Sequence, residues 1–124
     1  MSKIIKILIV EDDRSLRILY EKALNLNGYK VLASAENGLD AVKIFKNFSE
    51  KPDVILMDHR MPLKSGIEAA KEILEVDKGT KIIFMSADST IKEEALANVE
   101  VSFKDKPFSL ERLFNNIEKA VQIS

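Results

Sequence analysis

The sequence predicts an α/β fold, a five-stranded doubly wound parallel sheet of order 2-1-3-4-5 with helices on both faces. Three observations carry that expectation. Continuous apolar runs at 7–10, 54–57 and 82–85 have the pattern of parallel strands covered on both sides. Amphipathic helical patterns alternate with them along the chain. The polar residues that interrupt the alternation fall where the strand runs end.

In order, the first strand is 7–10. The helix after it runs from Arg14 to Leu26, presents Leu16, Leu19, Tyr20 and Ala23 on one face, and ends before Gly28, a residue suited to a left-handed cap. Residues 31–33 make a weaker strand, as expected near a sheet edge. Asn37-Gly38 opens the second helix, whose inner face is Leu39, Val42, Ile44 and Phe45. The third strand is 54–57. Ser65-Gly66-Ile67-Glu68 and Thr90-Ile91-Lys92-Glu93 both fit the capping box, and so open helices on either side of strand four. A weak fifth strand at 101–103 precedes a last helix capped by Ser109, with Leu110, Leu113, Phe114, Ile117, Ala120 and Val121 facing inward. These five β-then-α units require right-handed crossovers.

A chain of 124 residues is expected to form one domain over 1–124 with no appended output domain. It has 46% hydrophobic and 31% charged residues, an ordinary globular balance. A net charge of −1 suggests neither a nucleic acid nor a membrane as partner. Without cysteine there is no disulfide scaffold and no thiolate chemistry. Lys6 interrupts the N-terminal apolar run, which therefore does not read as a secretory leader, and no stretch approaches the roughly 20 apolar residues of a membrane span. The cytoplasm is the expected compartment, and the sequon Asn47-Phe48-Ser49 reads as chance.

The chemistry gathers at the carboxyl ends of the strands, where open α/β sheets place their ligands. Glu11, Asp12 and Asp13 follow strand one, Asp58 ends strand three, Ser86 ends strand four and Lys106 ends strand five. Asp13 reads as a helix N-terminal charge, and His59 as a rim residue. Two carboxylates about 4 Å apart repel by about 4 kcal/mol at an effective dielectric near 20, so a crevice of three needs a cation or a proton. Hard oxygen donors that leave room for water and phosphate suit Mg²⁺. A cation, a lysine and a hydroxyl around one carboxylate equip that carboxylate to accept a phosphoryl group.

The segments Ile-Leu-Ile-Val-Glu-Asp-Asp at 7–13, Ile-Leu-Met-Asp-His-Arg-Met-Pro at 55–62, Met85-Ser86-Ala87 and Lys106-Pro107-Phe108 resemble the receiver domains of two-component response regulators. The likeness covers essentially the whole chain. It implies a flavodoxin-like (βα)₅ fold and a phosphoacceptor that is not an enzyme in the ordinary sense, although it promotes its own phosphorylation and dephosphorylation. By that resemblance Asp58 is the phosphoacceptor, and Glu11, Asp12, Asp58 and the backbone carbonyl of Arg60 hold Mg²⁺. Lys106 and Ser86 bind phosphoryl oxygens, Ser86 and Phe103 form the switch, and the Lys106-Pro107 bond is cis. A sensor histidine kinase or phosphotransfer protein would be the donor. A downstream protein would read the surface of the fourth helix, fifth strand and last helix, and the chain would be a monomer or weak dimer. Arg60 and Asp88, each two residues beyond a site residue, are candidates for tuning the lifetime of the phosphorylated state. The chain departs from the family between Ser86 and Lys106, which is slightly short, and at Val99-Glu100, where a small pair is expected.

Three other readings fit less well. A haloacid-dehalogenase-type hydrolase needs Asp-x-Asp-x-Thr after strand one, where this chain has Glu11-Asp12-Asp13-Arg14-Ser15. A flavodoxin-like electron carrier needs a phosphate-cradling first loop, which carboxylates would repel. A receiver-like module that binds partners without phosphorylation would not require the full set of acids, hydroxyl and lysine.

Overall fold

The computed structural model describes residues 4–58, 65–86, 102–105 and 110–122. The elements are β1 (Lys6–Val10), α1 (Arg14–Leu26), β2 (Lys30–Ala35), α2 (Gly38–Asn47), β3 (Val54–Asp58), α3 (Gly66–Val76), β4 (Lys81–Ser86), β5 (Ser102–Asp105) and α4 (Leu110–Gln122). The five strands form one sheet in the order β2-β1-β3-β4-β5, with every pairing parallel. The expected helix opening at Thr90 lies outside the described residues.

Alternation along the strands divides the core. Leu8 and Val10 of β1, Ile55 and Met57 of β3, and Ile82 and Phe84 of β4 point to one face, where they meet Val42 and Phe45 of α2 and Ile67, Ala70 and Ile73 of α3. Ile7, Ile9, Val54, Leu56, Ile83 and Met85 point to the other, against Tyr20 and Leu24 of α1 and Leu113 and Ile117 of α4. Burial on both faces is why these strands read as unbroken apolar runs instead of alternating ones.

The helix ends are specified locally. Asn37 Oδ1 accepts from the Asp40 amide at 2.8 Å to start α2. The capping box at α3 is complete, with Ser65 Oγ accepting from the Glu68 amide and Glu68 Oε1 from the Ser65 amide, both at 3.3 Å. At the end of α1, Gly28 takes φ +86°, its amide donates to Asn25 O, and the Tyr29 amide donates to Leu24 O at 3.0 Å. Those two bonds make a Schellman motif, and Leu24 and Tyr29 bury together beneath it.

One helix face differs from expectation. Leu19 is 47% exposed, and Leu24 takes its place in the core. At 100° per residue Leu24 lies on the Leu16–Tyr20 side of the stripe, whereas Leu19 falls on its far flank.

Candidate phosphorylation site

The sheet register brings the acids together. Val10 pairs with Met57, so Glu11 and Asp58, each one residue further along, emerge side by side from adjacent parallel strands. The Glu11 amide donates to Ala35 O at 3.0 Å, which extends the β1–β2 ladder one residue beyond the strand. The chain then turns into α1. Asp13 caps that helix, with Oδ1 accepting from the amides of Ser15 at 2.9 Å and Leu16 at 3.2 Å. Asp13 is thus occupied with the helix start, as its position suggests, and the turn leaves Asp12 facing the crevice.

Glu11, Asp12 and Asp58 each offer a carboxylate oxygen within 4.8 Å of the others. Glu11 is 1% exposed and Asp58 7%, while Asp12 stands at the solvent edge. At that separation a pair of charges repels by about 3 kcal/mol for an effective dielectric near 20. Glu11 meets part of its demand locally, with Oε2 accepting from the Asp13 amide at 3.2 Å. Three hard oxygen donors on one open side are a donor set that fits a divalent cation such as Mg²⁺ with water completing its shell.

The remaining predicted residues are placed as follows. Ser86 ends β4 one residue beyond Met85, the register partner of Asp58, so its backbone flanks the acids on the other side. Phe103 pairs with Phe84 in the β4–β5 ladder, and Ser86 with Asp105. The side chains of Ser86 and Phe103, and the whole of Arg60, Asp88, Lys106 and the Lys106-Pro107 bond, lie outside the described residues.

One contributor escapes the sequence. Arg17 Nη1 donates to the Glu11 carbonyl at 2.8 Å, and Nη2 lies 3.4 Å from Glu36 Oε1. The available signal is its position: a cation close to a helix N-terminus opposes the dipole, and so calls for a specific local acceptor.

Comparison with known proteins agrees with this geometry. Residues 7–118 match the family described as the response regulator receiver domain. The chain is 37% identical to the chemotaxis protein CheY of Bacillus subtilis over 118 residues, covering 94% of this chain and 97% of that protein. The receiver domain of Thermotoga maritima CheB superposes with a TM-score of 0.86 at 32% identity, covering 98% of this chain and 99% of that one. A receiver domain of a Pseudomonas aeruginosa sensor histidine kinase, with a magnesium ion coordinated in its active site cleft, gives 0.83 at 27% identity, covering 97% and 99%.

Proposed function

The chain belongs to the response regulator receiver domain family, and on that premise we propose that Asp58 takes a phosphoryl group from a phosphohistidine of a sensor histidine kinase or phosphotransfer protein. The carrying observation is the cluster of Glu11 and Asp12 around a nearly buried Asp58 at the end of the central strand. An Asp58 carboxylate oxygen forms the new P–O bond as the donor's P–N bond breaks, and the imidazole departs with its electron pair. Glu11, Asp12, Asp58 and the Arg60 carbonyl would hold Mg²⁺. When bound, that ion supplies positive charge to the oxygens of the group in transit.

The chain's own residues do the rest. Burial of Asp58 in β3 fixes the attacking oxygen, and the capped turn at 11–13 holds the other two acids toward it. Lys106 neutralises a phosphoryl oxygen, and the Ser86 hydroxyl binds another after transfer. Ser86 and Phe103 pass the change to the surface formed by the segment after β4, β5 and α4, where a downstream protein reads it. Arg60 and Asp88, each two residues beyond a site residue in sequence, slow the entry of attacking water.

The domain promotes its own phosphorylation and dephosphorylation and acts on no other substrate. It works as a monomer or weak dimer in the cytoplasm, without direct contact with nucleic acid or membrane. Among the described residues no helix is long and apolar enough to cross a membrane.

The test is intact-protein mass spectrometry after incubation with acetyl phosphate and Mg²⁺. One phosphoryl group is expected, absent after Asp58→Asn or with EDTA. Equal labelling of the Asn variant sinks the assignment. Absence of any labelling on the wild type favours the alternative, an interaction module that works without phosphorylation.

A further inference from the structure

Arg17 lies one turn into α1 with its side chain 12% exposed, whereas the Glu36 side chain beside it is 70% exposed. A guanidinium buried to this degree needs acceptors for its fork of donors. It finds one on the main chain of the first acid, the Glu11 carbonyl, and one on the residue just after β2. That carbonyl belongs to the peptide joining Glu11 to Asp12. Glu11 is thereby held at three points. Its amide is fixed on Ala35 O, its carboxylate on the Asp13 amide, and its carbonyl by Arg17.

Resting on the reading of the acids as a cation-dependent phosphorylation site, we propose that Arg17 is a positioning residue for that site. It sets the plane of the Glu11–Asp12 peptide, and with it the direction from which the exposed Asp12 carboxylate reaches Asp58. Glu36 holds the second arm of the fork and so fixes its aim. The planar guanidinium suits this task because one group can bridge two acceptors on different loops. The role is positional and not that of a charge near the acids. A point charge would oppose a second cation, so its removal would tighten cation binding, whereas loss of a positional bond weakens it. The two roles differ in sign.

The experiment titrates Mg²⁺ calorimetrically into the full chain as wild type, Arg17→Met and Arg17→Lys. Amide exchange at Asp12 and Asp13 and thermal unfolding in EDTA are followed alongside. Methionine keeps most of the apolar stem and removes every donor; lysine keeps the charge and can still reach one acceptor. The expected result is Mg²⁺ binding weakened by about tenfold in Arg17→Met, the scale on which outer partners of metal ligands act. Exchange at Asp12 and Asp13 should quicken, and Arg17→Lys should recover the larger part of both effects. Unchanged or tighter Mg²⁺ binding in Arg17→Met overturns the inference, and so does a lowered melting temperature with unchanged affinity. A wild type that binds no Mg²⁺ strikes the reading of the site itself and this inference with it. Failure of the inference alone is seen only among variants of a binding-competent wild type.

Discussion

The Tyr29 hydroxyl donates to Glu118 Oε1 at 2.8 Å, a bond between residues 89 apart in sequence. It ties the turn after α1 to the middle of α4. The two rings that flank it, Tyr29 and Phe114, stack with centroids 5.8 Å apart. Because the Schellman motif fixes Tyr29 immediately after Gly28, the last helix is anchored on a turn whose geometry is set locally.

That anchor carries a pH dependence. Burial, then the hydrogen bond to Glu118 and its negative charge, push the Tyr29 phenol from its ordinary 10 up to about 12. The fold therefore favours the neutral phenol. The stability this contributes is complete below about pH 10 and is lost as pH rises through about 12. Urea midpoints measured from pH 8 upward should fall in that window for the wild type, and the fall should be shallower in Tyr29→Phe. At neutral pH the Phe variant should lose about 1 kcal/mol, the usual net value of one hydrogen bond. Parallel alkaline profiles for the two proteins would leave the phenol without this role.

Crowding of the acids has a sign that can be measured. Asp12→Ala removes one of three mutually repelling carboxylates, and because Asp12 is exposed the relief is screened to about 1 kcal/mol. In EDTA the variant should melt above the wild type. With Mg²⁺ the order should reverse, since a native state that binds the ion more tightly gains more from it. A variant that melts lower in EDTA would make Asp12 structural.

Lys51 closes the far end of α2. Its ammonium donates to the carbonyls of Phe45 at 2.7 Å, Phe48 at 3.0 Å and Lys46 at 3.3 Å, and lies 5.0 Å from the Phe45 ring centroid. These are carbonyls at a helix C-terminus, which need partners and favour a cation. Lys51→Met should cost about 2 kcal/mol, read as a lower urea midpoint with an unchanged slope. Phosphorylation of Asp58 should be untouched, because α2 ends on the side that leads into the amino end of β3, whereas Asp58 closes its carboxyl end. Loss of labelling in a folded Lys51→Met protein would contradict that separation.

The lifetime reading predicts coupling between Arg60 and Asp88. Decay of the phosphorylated wild type would be compared with Arg60→Ala, Asp88→Ala and the double variant at fixed Mg²⁺ and ionic strength. Faster decay in each single variant and a non-additive double variant are expected of a shared obstruction. Identical decay in all four proteins would reduce the two residues to surface charges.

What the sequence made legible follows from where burial leaves a mark. β1, β3 and β4 are covered on both faces, so their runs are unbroken and their ends sharp, and the acids at those ends stood out for that reason. β2 is an edge strand with Lys30 exposed and partly buried neighbours, and its weaker pattern showed only 31–33 of Lys30–Ala35. Leu19 and Leu24 both fit a helical stripe loosely, and the choice between them depended on which flank the sheet covers. Arg17, Lys51 and the Tyr29–Glu118 pair left no comparable trace. Glu36 and Glu118 reach Arg17 and Tyr29 only after the elements have packed, and the carbonyls that Lys51 meets are free to accept only because α2 ends there.

The register that pairs Val10 with Met57 also sets when the acids first meet. Between β1 and β3 the chain must traverse α1, β2 and α2, so this is a non-local pairing whose closure entropy precedes its reward. Until β3 docks beside β1, Glu11 and Asp12 are far from Asp58 and present no shared demand for a cation. A divalent ion should therefore act mainly on the completed structure. It should slow unfolding, and speed refolding only to the extent that the rate-limiting barrier already contains the β1–β3 pair. The unfolding limb of a chevron recorded with and without Mg²⁺ thus becomes a clock for the assembly of the crevice.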